Sequence, residues 1–169
     1  MEKFTKPLFI ENQSFNQFIF WFFLNGMTLF FIIAIIQQVL LLRSFGDNPM
    51  PNGMLVVFAL LTIGINIFFR LIKLRTIVDD NHLQFTFFPF KRHQFKWKEI
   101  ESVQLVNYGF IGFGIRMFSK YGTAYNIRGS SGLSIVLKDG RKFLLGTQSE
   151  IELMEALSKI EDIKLLPSK

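Results

Sequence analysis

The chain has 169 residues, 50% of them hydrophobic and 19% charged, with a mean hydropathy of +0.32. An average soluble domain has about 25% charged residues, so the chain is poor in charge and too apolar to be disordered. Its apolar residues are also too unevenly spread along the sequence for one soluble domain. It contains no cysteine, which excludes disulfides, thiolate metal sites and a cysteine nucleophile.

Charged residues leave two long gaps, from Asn12 to Leu42 and from Asn48 to Phe69. Within these gaps, residues 17–42 and 54–72 are each long and apolar enough to cross a hydrocarbon core of about 30 Å. The segment 43–53 between them contains two prolines and two glycines, which is typical of a turn. The pattern predicts a transmembrane hairpin of two helices.

This hairpin divides the chain into three parts: an N-terminal segment over 1–14, the hairpin over 15–72 and a separate domain over 73–169. An alternative is a pair of buried core helices in a soluble protein, but apolar runs near 20 residues without charge usually span membranes.

Lys and Arg near the helix ends predict the orientation of the hairpin. The loop has only Arg43, offset by Asp47. The outer ends carry more positive residues: Lys3, Lys6, Arg70, Lys73 and Arg75. Both termini are therefore predicted to be cytoplasmic.

Two asparagines interrupt the apolar helices at similar depth. Asn25 and Asn66 are predicted to form an interhelical polar pair, with Gly26 and Gly64 allowing close approach. The alternative is a conduction or substrate path, which intramembrane ionisable residues would normally mark.

From Lys73 onward the pattern changes to short segments of alternating polarity, such as 83–88 and 133–138. Asp139-Gly140 between two such segments is a hairpin signal. Thr147 to Glu150 has the spacing of a capping box and precedes an amphipathic helix. The fold class expected here is a mainly-β domain, a seven-stranded antiparallel sandwich or barrel capped by a C-terminal α-helix.

This order of elements resembles a pleckstrin-homology-like (PH-like) domain. The whole chain resembles bacterial membrane proteins that place a PH-like domain after a two-helix hairpin. The residues that carry the resemblance are Gly112–Arg116, Ala124–Asn126, Gly129, Lys138–Gly140 and Gly146–Gln148. The resemblance implies a multi-pass protein of the bacterial inner (cytoplasmic) membrane that acts through contacts on its surface. It does not extend to phosphoinositide specificity, because the first loop, Asp79–His82, is acidic where PH domains that bind phosphoinositides are basic.

No pattern of catalytic residues stands out. His82 and His93 lack metal-ligand spacing, and no nucleophile elbow or Walker-type motif occurs. The glycine-rich segment 109–114 leads into a predicted strand, which favours a bulge or turn over a phosphate loop. We therefore expect no enzyme, no cofactor and no metal site.

Charge and aromatic residues predict a membrane-surface contact instead. Residues 73–142 contain twelve Lys or Arg and five Asp or Glu, and a basic surface tethered to a membrane is attracted to anionic head groups. The candidate contact residues are Phe88, Phe90, Lys91, Arg92, Lys96 and Lys98. The alternative is that Phe88 and Phe90 turn inward and plug one end of a barrel.

A second candidate group surrounds one predicted hairpin. If the turn centres on Lys120-Tyr121, Tyr125 and Asn126 lie opposite Arg116, with Arg128 nearby. This group is either a cross-strand polar cluster or a contact for a ligand or partner.

The expected function is that of a membrane-anchored, non-enzymatic PH-like domain protein, either a protein-recruiting adaptor or a membrane-surface interaction module. One alternative is an accessory subunit of a larger membrane complex. Another is a small-molecule-binding enzyme with a pocket lined by Arg116, Tyr125 and Asn126. Expected partners are membrane lipids through the hairpin and an unidentified protein, with a homo-oligomer also open. Nucleic acid is not expected because the domain is tethered to a membrane.

Overall fold

The computed structural model describes residues 6–109, 112–161 and 163–167. The chain forms two compact units. The helical unit is Phe15–Leu71, and the β unit combines the residues before Phe15 with those from Ile72 onward. Lys3 and two residues of the glycine-rich segment, 110 and 111, lie outside the described residues.

The helical unit contains two long apolar helices. Helix α1 spans Phe18–Ile35 and continues as a π-helical turn over Ile36–Leu40, and helix α2 spans Asn52–Leu71. Both are long and apolar enough to cross a membrane. The prediction of two long apolar helices is therefore confirmed. It could be made from the sequence because a charge-free apolar run of this length is a local pattern.

The two helices pack through a small cluster of Phe31 and Ala34 with Leu55 and Ala59. Further along, the Asn66 side-chain amide donates hydrogen bonds to Thr28 Oγ1 at 2.9 Å and to the Thr62 carbonyl at 3.1 Å.

The partner of Asn66 therefore differs from the prediction. Asn25 lies on the exposed side of α1, where its amide donates to the Trp21 carbonyl at 2.8 Å. Thr28 is three residues further along α1 and lies closer to the face that packs on α2. The expected close approach at Gly26 and Gly64 is also wrong, since a Cβ added at either glycine would meet nothing within 4 Å.

The β unit contains two sheets and ten strands among its described residues. The strands are β1 Phe9–Ser14, β2 Lys73–Val78, β3 His82–Phe88, β4 Lys91–Lys96, β5 Ile100–Asn107, β6 Gly114–Ser119, β7 Gly122–Asn126, β8 Ser131–Leu137, β9 Lys142–Gly146 and β10 Leu165–Leu166. The first sheet has the antiparallel order β1-β2-β3-β4.

The second sheet has the order β10-β5-β8-β9-β7-β6. It is mixed rather than antiparallel, because β7 pairs with β9 and β10 with β5 in parallel. The strand pairing closes no barrel within the described ranges. A mainly-β unit is confirmed, but the number of strands and the uniformly antiparallel pairing were wrong.

Strand β1 is a complete partner of β2, from Phe9 opposite Val78 to Ser14 opposite Lys73. Glu11 on this strand is buried, and its carboxylate accepts hydrogen bonds from Thr147 Oγ1 and the Gln148 backbone N–H, both at 2.7 Å.

Gln13 on the same strand donates to the Gly146 carbonyl at 2.7 Å. Strand β1 thus connects the first sheet to the segment that precedes helix α3, Glu150–Ser158.

The expected capping box at α3 does not form. The Thr147 hydroxyl binds Glu11 instead, and Ser149 occupies the N-cap without a side-chain hydrogen bond. Leu153 and Leu157 on α3 are buried as the amphipathic pattern predicts, so tertiary packing rather than capping holds this short helix.

Candidate functional site

The turn between β3 and β4 lies at the end of the first sheet that is joined to the helical unit. In the register of the sheet, Ser14 is opposite Lys73 and Lys73 is opposite Phe88. The chain runs from Ser14 into the segment before α1, and it returns from α2 at Lys73. The β3–β4 turn therefore lies at the same end of the strands as both connections to the apolar helices.

Two phenylalanines at this turn are exposed. Phe88 and Phe90 are each 50% exposed, whereas Phe87 between the sheets is buried. The ring of Phe90 stacks on Phe87 with centroids 6.1 Å apart, and the Phe90 N–H donates to the Phe87 carbonyl at 2.8 Å. The alternative in which Phe88 and Phe90 plug a barrel is therefore wrong, because Phe87 already occupies the interior position.

Basic residues are neighbours of these two phenylalanines in the chain and in the sheet register. Lys91 begins β4 directly after the turn and is exposed. On the outer face of the sheet, Thr86 lies between Arg75 and Arg92 in one cross-strand row. The guanidinium of Arg92 donates to Gln84 Oε1 at 2.8 Å. We call Phe88, Phe90, Lys91 and Arg92, together with Lys73 and Arg75, the aromatic–basic edge.

Lys96 and Lys98 are not part of the aromatic–basic edge. Lys96 ends β4 opposite His82, and Lys98 lies in the single 3₁₀ turn that follows. At about 3.4 Å per residue, Lys96 is about 17 Å from Lys91 along the strand. Proximity in the sequence grouped Lys96 and Lys98 with Lys91, but the extended strand β4 has Lys91 and Lys96 at its opposite ends.

The second candidate group is divided by a bulge in β6. The turn does centre on Lys120 and Tyr121, but the register slips between Arg116 and Ser119, so Ala124 rather than Tyr125 is opposite Arg116. Phe118 within the bulge has a φ of 75°. A bulge adds one residue to one strand and redirects its side chains.

Tyr125 and Asn126 are buried, while Arg116 and Arg128 are exposed. The Asn126 amide donates to the Gly112 carbonyl at 3.2 Å. The guanidinium of Arg116 also lies against Gly112, so closely that a Cβ there would overlap it. Arg116 and Asn126 therefore share a contact at Gly112.

Tyr125 points instead into the space between the two sheets. Its hydroxyl lies 3.1 Å from His93 Nε2, and its ring packs against Phe85 with centroids 5.0 Å apart. Burial raises the pKa of Tyr125. Burial, followed by the nearby cations Lys91 and Arg141, lowers the pKa of His93.

His93, which is half-buried, and Tyr125, which is buried, are thus a hydrogen-bonded pair packed against aromatic rings of the β unit. Because Ala124 is the residue opposite Arg116, Tyr125 faces the other side of β7, where it is buried while Arg116 is exposed. The described residues also hold no group of three His, Asp or Glu side chains that could bind a metal ion.

Sequence reasoning missed Glu11 and Gln13, which hold β1 on the β unit. The buried positions of β1 are Phe9, Glu11 and Gln13, so the strand lacks the apolar alternation that reveals the others. His93 carried a usable signal, because it is two residues from buried Phe95 and therefore on the same face of β4.

Neither the models of known protein families nor the curated proteins contain a match to this chain.

Proposed function

We propose that this protein is a membrane-anchored, non-enzymatic interaction module. Its hairpin spans the bacterial inner membrane, and its PH-like β unit lies on the cytoplasmic side, where the aromatic–basic edge contacts anionic head groups and another surface recruits a protein. The observation that carries the proposal is the position of Phe88 and Phe90 at the same end of the strands as both connections to the apolar helices.

Insertion of the helices in a membrane is supported by the exposure of their apolar side chains. Only 6% of the apolar window in α1 and 22% of that in α2 is buried. The core helix of a soluble protein would be mostly buried, because exposing large apolar side chains to water costs about 25 cal/mol per Å². A hydrocarbon phase removes that cost.

The pairing of β1 with β2 supports the placement of both termini on the same side of the membrane. Six residues of β1 pair with six of β2, so the segments before α1 and after α2 must be in the same compartment to fold together. Two membrane crossings between them satisfy this requirement. The greater number of Lys and Arg residues outside the loop favours the cytoplasm as that compartment.

The chemistry of the aromatic–basic edge suits the head-group region. Each Lys or Arg close to an anionic surface contributes about 1 kcal/mol, and the edge holds four of them, Lys73, Arg75, Lys91 and Arg92. Aromatic rings next to basic residues are typical of segments that lie in the interface. Since the hairpin already anchors the chain, these contacts orient the β unit rather than recruit it.

The experiment places an environment-sensitive fluorophore on the full chain in lipid nanodiscs. The chain has no cysteine, so Phe88→Cys gives one labelling site at the edge and Lys98→Cys gives a matched exposed site away from it. We expect blue-shifted emission from position 88 in nanodiscs with anionic lipid and water-like emission from position 98. Water-like emission from both positions would contradict the contact.

The second candidate, an accessory subunit of a larger complex, is favoured by the edge strand β6. Met117 and Phe118 are exposed on this strand, which is the last strand of its sheet. Exposed apolar residues on an edge strand are a surface to which another protein can add. A stoichiometric partner that co-purifies in mild detergent and is lost in the double variant Met117→Ser, Phe118→Ser would favour the subunit.

A further inference from the structure

The two sheets of the β unit cross, and contacts between their rings show the direction of the crossing. Phe87, one residue before Phe88, packs on Tyr125 of β7 with ring centroids 6.0 Å apart. Phe143 of β9, the strand next to β7, packs on Phe95 at 5.2 Å, towards the other end of β4. From β9 to β7, the second sheet therefore approaches the β3–β4 turn.

Strand β6 continues this direction by one more strand. Ile115 of β6 is opposite Tyr125, on the side of β7 away from β9, and neighbouring strands are about 4.8 Å apart. Within the part of the chain that the structure describes, no strand pairs with the other side of β6. The open edge of the second sheet is thus directed towards the end of the β unit that carries the aromatic–basic edge.

Apolar and basic side chains are exposed together along β6 and its flanks. Phe113, Met117 and Phe118 are exposed, and Phe118 is fully so. Arg116 and Lys120 next to them are exposed as well. Large apolar side chains cost free energy in water, whereas beside basic residues they suit the boundary between head groups and acyl chains. We call these five residues the β6 rim.

Charge favours a lipid surface as the occupant of the β6 rim. From Ser102 to Lys138 the chain has no Asp or Glu and four Lys or Arg, so this part of the β unit complements an anionic surface. A strand added by another protein would satisfy the open edge through its backbone, which needs no basic residues. The rim also continues the aromatic–basic edge from the first sheet to the second.

We propose that the β6 rim is a second membrane contact. Met117 and Phe118 enter the boundary between head groups and acyl chains, and Arg116 and Lys120 lie among the lipid phosphates. This inference rests on the proposed function and deepens it. One contact on each sheet holds the β unit in a single orientation on the membrane, which the aromatic–basic edge alone does not.

Single nitroxide labels on the full chain in nanodiscs with anionic lipid test the second contact, because the chain has no cysteine. Phe118→Cys places the label on the rim. Glu101→Cys is the matched control: it is exposed where the register of β5 also slips, but it is four strands away, or about 19 Å. We expect the label at 118 to collide several-fold more with oxygen, which concentrates in lipid, than with a water-soluble nickel complex. The label at 101 should show the reverse.

A label at 118 as accessible to the nickel complex as that at 101 would overturn the second contact. Protection of 118 from both reagents would also overturn it, because a partner protein or a second copy would then cover β6. Met117→Cys repeats the measurement with Phe118 intact and should give the same lipid-like result. The fluorophore at position 88 separates the two proposals: blue-shifted emission there with a water-exposed label at 118 overturns this inference alone, whereas water-like signals at both overturn the proposed lipid contact itself.

Discussion

Replacing Glu11 with alanine should destabilise the β unit by about 2–5 kcal/mol. The buried carboxylate accepts two hydrogen bonds of 2.7 Å, from Thr147 Oγ1 and the Gln148 N–H. Hydrogen bonds to charged groups contribute about 1.5–3 kcal/mol each, and a buried donor left without its acceptor costs about 1–3 kcal/mol. Glu11→Gln keeps one acceptor oxygen and the shape of the side chain, so it should cost less than Glu11→Ala.

Thermal unfolding of the full chain in detergent, followed by the circular dichroism of its strands, measures this loss. For a unit of this size, 1 kcal/mol corresponds to about 4 °C in Tm. Asn12→Ala is the matched control, because Asn12 is exposed on the opposite face of the same strand and should change Tm by less than about 2 °C. Equal Tm values for Glu11→Ala and Asn12→Ala would refute the reasoning that β1 is an integral strand.

Three further predictions follow from the same structure. The pKa of His93 is lowered in the fold, so the unfolded chain binds more protons, and stability should fall as the pH drops below about 6.5, the ordinary value of histidine; His93→Gln should reduce this dependence in unfolding curves between pH 5.5 and 7.5. A Cβ at Gly132 would lie 2.5 Å from the Leu145 carbonyl oxygen, so Gly132→Ala should cost about 1–3 kcal/mol in the same unfolding assay, whereas Gly64→Ala, with open space around it, should not destabilise. Replacing residues 15–71 with a short turn should give a folded β unit in water, because the strands that it would join are already paired; a chain that aggregates or lacks β-sheet circular dichroism would contradict this.

The apolar helices and the centre of the first sheet could be predicted from sequence because their signals are local. Charge-free runs predicted α1 and α2 to within a few residues. In β3, alternation of Leu83, Phe85 and Phe87 with polar residues matches the buried and exposed faces of the strand. Such patterns depend only on the period of the element and on one buried side.

The rest of the fold depends on contacts between residues far apart in sequence. Strand β1 buries Glu11 and Gln13 against partners more than 130 residues away, and a buried carboxylate cannot be recognised without its donors. The parallel pairing of β7 with β9 has no local signal either.

The candidate site was predicted in part. Phe88, Phe90, Lys91 and Arg92 are neighbours in sequence and remain neighbours in the fold, so a local motif was sufficient. The bulge at Phe118 moved Tyr125 away from Arg116 by a single residue of register. A shift of this kind reverses which face a side chain occupies, and no composition rule predicts it.

Labelling with a membrane-impermeant maleimide tests the central claim most directly. Single cysteines at Asn12, Asn48 and Arg128, all exposed, report on the N-terminal strand, the hairpin loop and the β unit. In intact bacterial cells, we expect labelling at 48 alone, with 12 and 128 labelled only after the membrane is opened. Labelling that differs between 12 and 128, or that leaves 48 protected in intact cells, would contradict a cytoplasmic β unit completed by its own N-terminal strand.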